Sequence, residues 1–372
     1  MAQKYSHFSI PYIDKVIFIW YNIGVRKLIT RVIRRKDQVL TQQGAQYFMT
    51  TMRDIAEAAN VSRSAVSAVL NGNCHIRVSK EKRELILDLA RKMNYRPNLI
   101  ARSLVSRSSY TIGIYLCMPT EYFYAELLAA IQEELRQRNY IGSFIFWKSL
   151  EDVQYAYDIG QGQRVDGIIT CHGDVSMLPP GTPAVIFGTE QESRDCFFPD
   201  WSRIYDSYLN HLVSLGHRKI MFVGNEDNRP FQMKALKKLA VKYGVEIQTV
   251  PGGINRQTLI ATAKKIAGSP RSSRPTAIIT ANDMNALDFI NAAKNFNLRI
   301  PQDISIIGYD NIQDTLYSSP PLTTSGVPVK KLAGDLMDTL FKRMAEPDAP
   351  FKKVKLFSEL IVRSSCTVPL PD

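Results

Sequence analysis

The chain has little of what builds inorganic or covalent chemistry. Its five cysteines (Cys74, Cys117, Cys171, Cys196, Cys366) lie far apart with no C-x-x-C pair. That excludes a disulfide scaffold and fits free thiols in a reducing compartment. The five histidines form no H-E-x-x-H or other metal-spaced cluster, so neither a metal nor a resident cofactor is expected. There is no G-x-G-x-x-G, no P-loop and no G-x-S-x-G, and no enzyme activity is expected. Long apolar runs are absent too. Val16–Tyr21, extended through Val25, falls far short of the ~20 residues that span a bilayer. It lacks a small-residue cleavage site and is followed directly by Arg26-Lys27. No membrane segment or secretory signal is expected, and the location expected is cytoplasmic.

Acidic residues are scarce in one part of the chain only. Residues 1–48 carry eight Lys/Arg against Asp14 and Asp37, and residues 49–109 carry eleven basic and five acidic residues. From residue 110 on, 28 basic residues balance 28 acidic ones. The whole formal excess of +12 therefore lies in the first 109 residues. A basic head on a neutral body suits nucleic-acid binding. With 372 residues, 45% hydrophobic, the chain is long enough for two or three compact units. Residues 1–48 read as an uncertain basic extension, either sequence upstream of a start at Met49 or Met52 or a loosely ordered arm. No function is assigned to them.

The pattern becomes legible at Met52. Ile55, Ala56 and Ala59 share one face of a helix over Met52–Asn60, with Asp54 and Glu57 at its positive end. Asn60-Val61-Ser62 reads as a tight turn, and Ser62 as the cap of a second helix, Arg63–Leu70. Val66, Val69 and Leu70 turn inward there, leaving Arg63, Ser64, Ser67 and Ala68 outside. Asn71-Gly72 ends it. A third helix runs from the cap Ser79 to about Asn94, with Leu85, Ile86, Leu89, Ala90 and Met93 as its stripe. Any small three-helix bundle would show such stripes. In a basic segment, however, this spacing fits a helix-turn-helix whose second helix enters the DNA major groove.

The run Met52-Arg-Asp-Ile-Ala-Glu-Ala-Ala-Asn-Val-Ser-Arg-Ser-Ala-Val-Ser-Ala-Val-Leu-Asn-Gly72, with Val78-Ser79, Asn94-Tyr95-Arg96-Pro97-Asn98 and Ala101-Arg102-Ser103-Leu104, resembles the head of the LacI/GalR family of bacterial transcriptional regulators. The likeness extends to about residue 345. It implies a homodimer on a palindromic operator. By position, Arg63 and Ser64 take the first two base-reading places, with Ser67 beside them. Ala68 takes the third, where the family usually carries a long polar side chain. A methyl there could meet only a thymine methyl. Ser62 and Asn71 would hold phosphates and register. The resemblance further implies that residues 98–109 form a hinge helix with Ala101, Arg102 and Leu104 at the minor groove. Leu104 would then be a wedge between base steps. Alone, such a segment is too short to be a stable helix.

After Tyr110, apolar strands alternate with amphipathic helices. Strands are expected at Thr111–Met118, Gly142–Trp147, Gly167–Cys171, Ala184–Phe187, Lys219–Val223, Ala277–Thr280 and Ile304–Tyr309. Helices are expected at Tyr124–Arg138, Asp200–Leu215, Phe231–Tyr243, Arg256–Ala267, Asn282–Phe296 and Val329–Met344. The alternation predicts parallel sheets covered on both faces. The expected architecture is thus an all-α helix-turn-helix head over 49–97, a hinge over 98–109, and an α/β body over 110–372. That body matches the two-lobed periplasmic-binding-protein-like (type I) fold that the family reuses, with a ligand held between lobes.

Residues resembling effector contacts fall at strand ends: Phe123, Tyr124, Arg229, Asn282 and Asp310. Planar Asn, Asp and Arg groups with an aromatic ring suit a sugar, the effector expected here. Asp283 reads as a helix cap and His217 as a backbone partner near a turn. The loop Pro119–Tyr124 is short and lacks the family's Asn-Pro. Gly188 stands where an acidic residue is common, and the stretch around Asn228–Phe231 is shortened. The pocket is therefore atypical. A transport-type solute-binding protein would explain the body but not the basic head, and an enzyme on a doubly wound fold would lack its motifs.

Overall fold

The computed structural model describes residues 50–70, 77–96, 103, 108–117, 122–147, 150–162, 164–171, 178, 181–224, 227, 229–250 and 255–371. They form two compact units, the second beginning at Ser103. The extension 1–48 and the expected site residues Asn71, Ala101, Arg102 and Leu104 lie outside the described residues.

Among the described residues, the first unit holds three helices, α1 (Met52–Ala59), α2 (Arg63–Leu70) and α3 (Lys80–Lys92). A capping box starts α1: Thr51 Oγ1 accepts from Asp54 N at 3.3 Å while Thr51 N donates to Asp54 Oδ2 at 2.9 Å. Asn60 ends it in the left-handed region at φ 51°, a conformation asparagine tolerates better than most residues. Ser62 Oγ then accepts from Ala65 N at 3.1 Å and caps α2. Ile55, Ala59, Val66, Val69, Ile86 and Leu89 form the core. Leu85, expected in the α3 stripe, is instead 39% exposed. On a helix with one buried stripe, Ile86 and Leu89 take the central line and Leu85 falls to its border.

The second unit contains two parallel sheets. The first has the order β10-β5-β4-β3-β1-β2, from β1 (Thr111–Cys117), β2 (Ile141–Trp147), β3 (Gly167–Cys171), β4 (Ala184–Phe187), β5 (Asp195–Pro199) and β10 (Lys353–Leu356). The second has the order β7-β6-β8-β9, from β6 (Lys219–Val223), β7 (Glu246–Thr249), β8 (Ala277–Thr280) and β9 (Ser305–Ile307). Around them lie α4 (Tyr122–Gln137), α5 (Leu150–Gly162), α6 (Trp201–Ser214), α7 (Pro230–Tyr243), α8 (Arg256–Gly268), α9 (Asp283–Lys294) and α10 (Val329–Ala345). Among the described residues the chain crosses between the sheets three times, after β5, after β9 and after β10. The second crossing runs through Thr323–Pro328 into α10, whose Leu332, Leu336 and Leu340 fill the core of the first lobe.

The sequence reading left out α5, β5, β7 and β10. Of the strands, β7 and β10 are four-residue edge strands with mixed exposure, so neither shows an unbroken apolar run. The strand β5 opens on Asp195 and closes on Pro199, residues that look like turn signals.

Two polar anchors hold the first lobe at the N-terminal edge of its strands. The Arg343 guanidinium uses all five of its hydrogens: two reach Asp195, and the others reach the carbonyls of Pro347, Ala349 and Pro350. A buried ion pair is tolerable when its donors and acceptors are this fully matched. The Asp166 carboxylate accepts from the Ser108 hydroxyl, from Ser109 N at 2.7 Å and from Tyr110 N at 2.9 Å. It thereby fixes where the chain enters β1.

In the second lobe, His217 is 1% exposed. Its Nε2 donates to the Thr367 carbonyl at 2.9 Å and its Nδ1 accepts from the Thr276 hydroxyl at 2.9 Å, which binds the C-terminal segment to the sheet. Burial pushes this imidazole down to about 4. A group held neutral in the fold stabilises it above its unfolded value, ~6.5, and loses that stabilisation as pH falls toward the folded value. The stability advantage of wild type over His217→Gln is therefore expected to be largest above pH ~6.5 and to shrink by roughly 2–3 kcal/mol on acidification to about pH 4. Urea titrations across that range measure it, and a constant gap would refute it.

Candidate functional site

The exposed surface of α2 is concentrated at its start. Ser62, Arg63 and Ser64 are exposed and Ser67 is half-buried. The Ser62 and Ser64 hydroxyls lie 2.8 Å apart, so the cap and the first turn form one hydrogen-bonding surface. Arg63 also lies close enough to Tyr95 for its charge to act on the phenol, whose pKa burial raises. Lys82 Nζ donates to the Ala59 carbonyl at 3.0 Å and closes the end of α1, and Thr50 Oγ1 donates to the Met93 carbonyl at 2.8 Å. The helix α1 is thus held at both ends. Ala68 departs from the expected exposed position: it is only 4% exposed. A single methyl does not reach past the neighbouring backbone, so this position has almost no surface for a base edge.

In the body, strand order reverses beside β1 in one sheet and beside β6 in the other. In open α/β sheets, ligands bind at such switch points, outside the strand C-termini. Tyr124, Arg229, Asn282 and Asp310 all follow strand C-termini, as their sequence positions imply. Phe123 follows one too, but its ring turns inward. It is 7% exposed, stacks on Phe187 at 5.9 Å and meets Tyr124 edge-on at 5.4 Å. As the second residue of α4 it faces the sheet with Leu127 and Ile131, so it is a core residue rather than a platform for a ligand.

The aromatic group beside Arg229 and Asp310 is a different one. Trp201, the first residue of α6, stacks on Tyr205 at 5.6 Å and 20° and meets Tyr309 at 5.0 Å. Burial raises the Tyr205 phenol far above its ordinary value, and the Arg229 charge acts against that rise. The sequence clue was an Asp-Trp pair directly after Phe197-Phe198-Pro199, hidden because β5 itself was not expected.

The cap expected at Asp283 falls instead to Asn282. Asn282 is the cap of α9: its Oδ1 accepts from Asn285 N at 2.9 Å. Its Nδ2 hydrogens are what it has to offer a ligand. Asp283 is fully buried and accepts from the Thr324 hydroxyl at 2.6 Å and from Ile312 N at 3.0 Å. Burial pushes its carboxyl up to about 6, opposed by those donors and by the Arg363 charge. Gly308 is required here, since a Cβ at that position would collide with Asp283 Oδ1. Among the described residues no group of three or more His, Cys, Asp or Glu could hold a metal.

The geometry defines a class: a helix-turn-helix reading head carried on a two-lobed, periplasmic-binding-protein-like body. Comparison with known proteins agrees. Residues 51–98 match the model of bacterial regulatory proteins of the lacI family, and residues 209–366 match a periplasmic binding protein-like domain. The head is thus a lacI-type regulatory-protein domain, and the body is periplasmic-binding-protein-like. It is similar to the transcriptional repressor PurR of Mannheimia succiniciproducens, 28% identical over 341 residues covering 85% of this chain and 98% of that protein. It is similar also to the ribose operon repressor of Haemophilus influenzae, 29% identical over 342 residues with the same coverage. In fold it resembles the lac repressor dimer bound to operator and the anti-inducer ONPF, with a TM-score of 0.75, 23% identity, and coverage of 86% of this chain and 100% of that one.

The inward placement of Phe123 makes a stability prediction. Phe123→Ala is expected to lower unfolding free energy by about 3–5 kcal/mol, the usual loss for emptying a core phenylalanine site. A chemical denaturation curve unchanged from wild type would put the ring outside the core.

Proposed function

We propose that the protein is a cytoplasmic, homodimeric transcriptional regulator, a repressor with no catalytic activity, that binds a palindromic DNA operator under the control of a small-molecule effector. The observation that carries this reading is the exposed start of α2, where Ser62, Arg63 and Ser64 stand clear of the core in the basic part of the chain. Arg63 can reach a guanine edge with two parallel hydrogen bonds. Ser62, Ser64, Ser67 and Asn71 suit phosphate and register contacts. The proposed hinge places Ala101, Arg102 and Leu104 at the minor groove, with Leu104 as the wedge. Its anchor on the body is Asp166, through Ser108 and Ser109.

The effector is proposed to be a sugar. Asp310 and Asn282 supply an acceptor and amide donors, Arg229 a charged fork, and Tyr124, Trp201 and Tyr309 apolar ring faces. This donor set suits vicinal hydroxyls, and the resemblance to a ribose operon repressor makes D-ribose the first probe. Control requires the ligand to bind one arrangement of the lobes more tightly than another.

Selection of duplexes from a random pool with the purified dimer tests the reading. It should return a two-fold symmetric site, bound with strong salt dependence. Arg63→Ala should cost about 1–3 kcal/mol and relax specificity at one base pair in each half-site. A sugar panel read by thermal shift should raise the melting temperature of wild type but not of Asp310→Ala. Equal affinity for the selected and scrambled duplexes would dismiss the DNA reading. A full ligand response in Asp310→Ala would remove that residue from the pocket.

A further inference from the structure

Two segments of the second lobe run side by side at its ligand edge. One is Gly308–Ile312, which follows β9 and carries Asp310. The other is Thr323–Gly326, the start of the crossing that leads through Pro328 into α10 and the first lobe. They are joined by backbone bonds from Gly308 N to Thr323 O at 2.9 Å and from Asp310 N to Ser325 O at 2.7 Å. The Tyr208 hydroxyl donates to the Gly308 carbonyl at 2.8 Å and accepts from Ser325 at 2.6 Å. Gly326 presses so closely on Asp310 that a Cβ there would collide with the Asp310 carbonyl. Asp283 grips both segments with a single carboxylate, Oδ2 toward Ile312 N and Oδ1 toward the Thr324 hydroxyl.

We infer that Asp283 is a positioning residue: by bonding Ile312 and Thr324 at once, it couples the Asp310 loop to the crossing segment, so that a change at the ligand edge is passed to α10. The coupling concerns the pocket of the proposed function, but the bonds themselves do not depend on which ligand binds. Neither segment can shift alone without leaving a buried donor or acceptor unmatched, which is costly. The two therefore move as one piece. Arg363 adds to the piece from the third crossing, donating to the Leu322 carbonyl at 2.6 Å and to Asn311 Oδ1 at 2.7 Å.

Hydrogen exchange on the full-length dimer tests the coupling with no ligand present. Thr324→Val removes one hydroxyl at nearly constant shape, Asp283→Asn removes the charge, and Thr324→Ser restores the hydroxyl. In Thr324→Val and Asp283→Asn, exchange should speed up by about tenfold or more over 309–312 and also over 327–333 at the start of α10. Affinity for the duplex selected by the wild type should move by about tenfold, in the same direction in both variants. Thr324→Ser should behave as wild type. Faster exchange confined to 309–312 and 323–325 would make the bonds local packing and overturn the inference. Exchange that spreads to α10 while duplex affinity stays fixed would also overturn it. If the wild type selects no duplex at all, the proposed function fails, and the exchange pattern alone still decides the coupling.

Discussion

Burying an ionisable carboxyl costs several kcal/mol unless donors replace the water it gives up, and the second lobe is arranged around meeting that cost at Asp283. The donors come from two segments remote in sequence, Ile312 and Thr324. Gly308 provides the room, and Asp283 N donates to the Tyr309 carbonyl at 2.7 Å. The same constraint determines what Asn282 can do. With Asp283 drawn inside, the cap of α9 falls to Asn282, itself only 6% exposed.

The opposite edge of the first lobe is held by charge as well, but with a different consequence. Arg343 and Asp195 close the loop after α10 onto the start of β5, and no donor is left over to respond to anything else. Asp166 fixes the entry of the chain into β1. Both anchors lie at strand N-termini, whereas the candidate ligand groups lie at strand C-termini. The first lobe is therefore stiff where the proposed hinge leaves it, and its adjustable contact with the second lobe is left to the crossings. Stiffness at that edge is what would allow a rearrangement of the crossings to reach the hinge without being absorbed on the way.

Much of this was legible in the sequence, because most elements carry an uninterrupted period. The strands Gly167–Cys171, Ala184–Phe187, Lys219–Val223 and Ala277–Thr280 stand where their apolar runs lie. They are central strands buried on both faces, the case in which pattern and structure coincide. The elements that escaped are the helix α5, the edge strands β7 and β10, and β5; in these strands exposure or a terminal proline breaks the run. Side-chain direction was harder to read. Phe123 and Trp201 both follow a strand end, and only the packing of α4 against Phe187 shows that the first faces the core. The placing of the cap on Asn282 rather than Asp283 has the same origin. Both residues are good caps, and the choice rests on Thr324, which is 41 residues away.

Ala68 carries the last step. A recognition helix that offers Arg63 and Ser64 but only a buried methyl one turn later has little direct readout to spend within each half-site. On the proposed reading, discrimination must then come from elsewhere. The sources that remain are the deformability of the central base steps under the Leu104 wedge and the narrowness of the adjoining minor groove, both of which depend on sequence without base-edge hydrogen bonds. Deformation is available only when the hinge is correctly presented, so a weak reading helix ties specificity more closely to the state of the body. In such a protein a ligand that alters the lobes would change which DNA is bound as well as how tightly, because the term it controls is the one that discriminates.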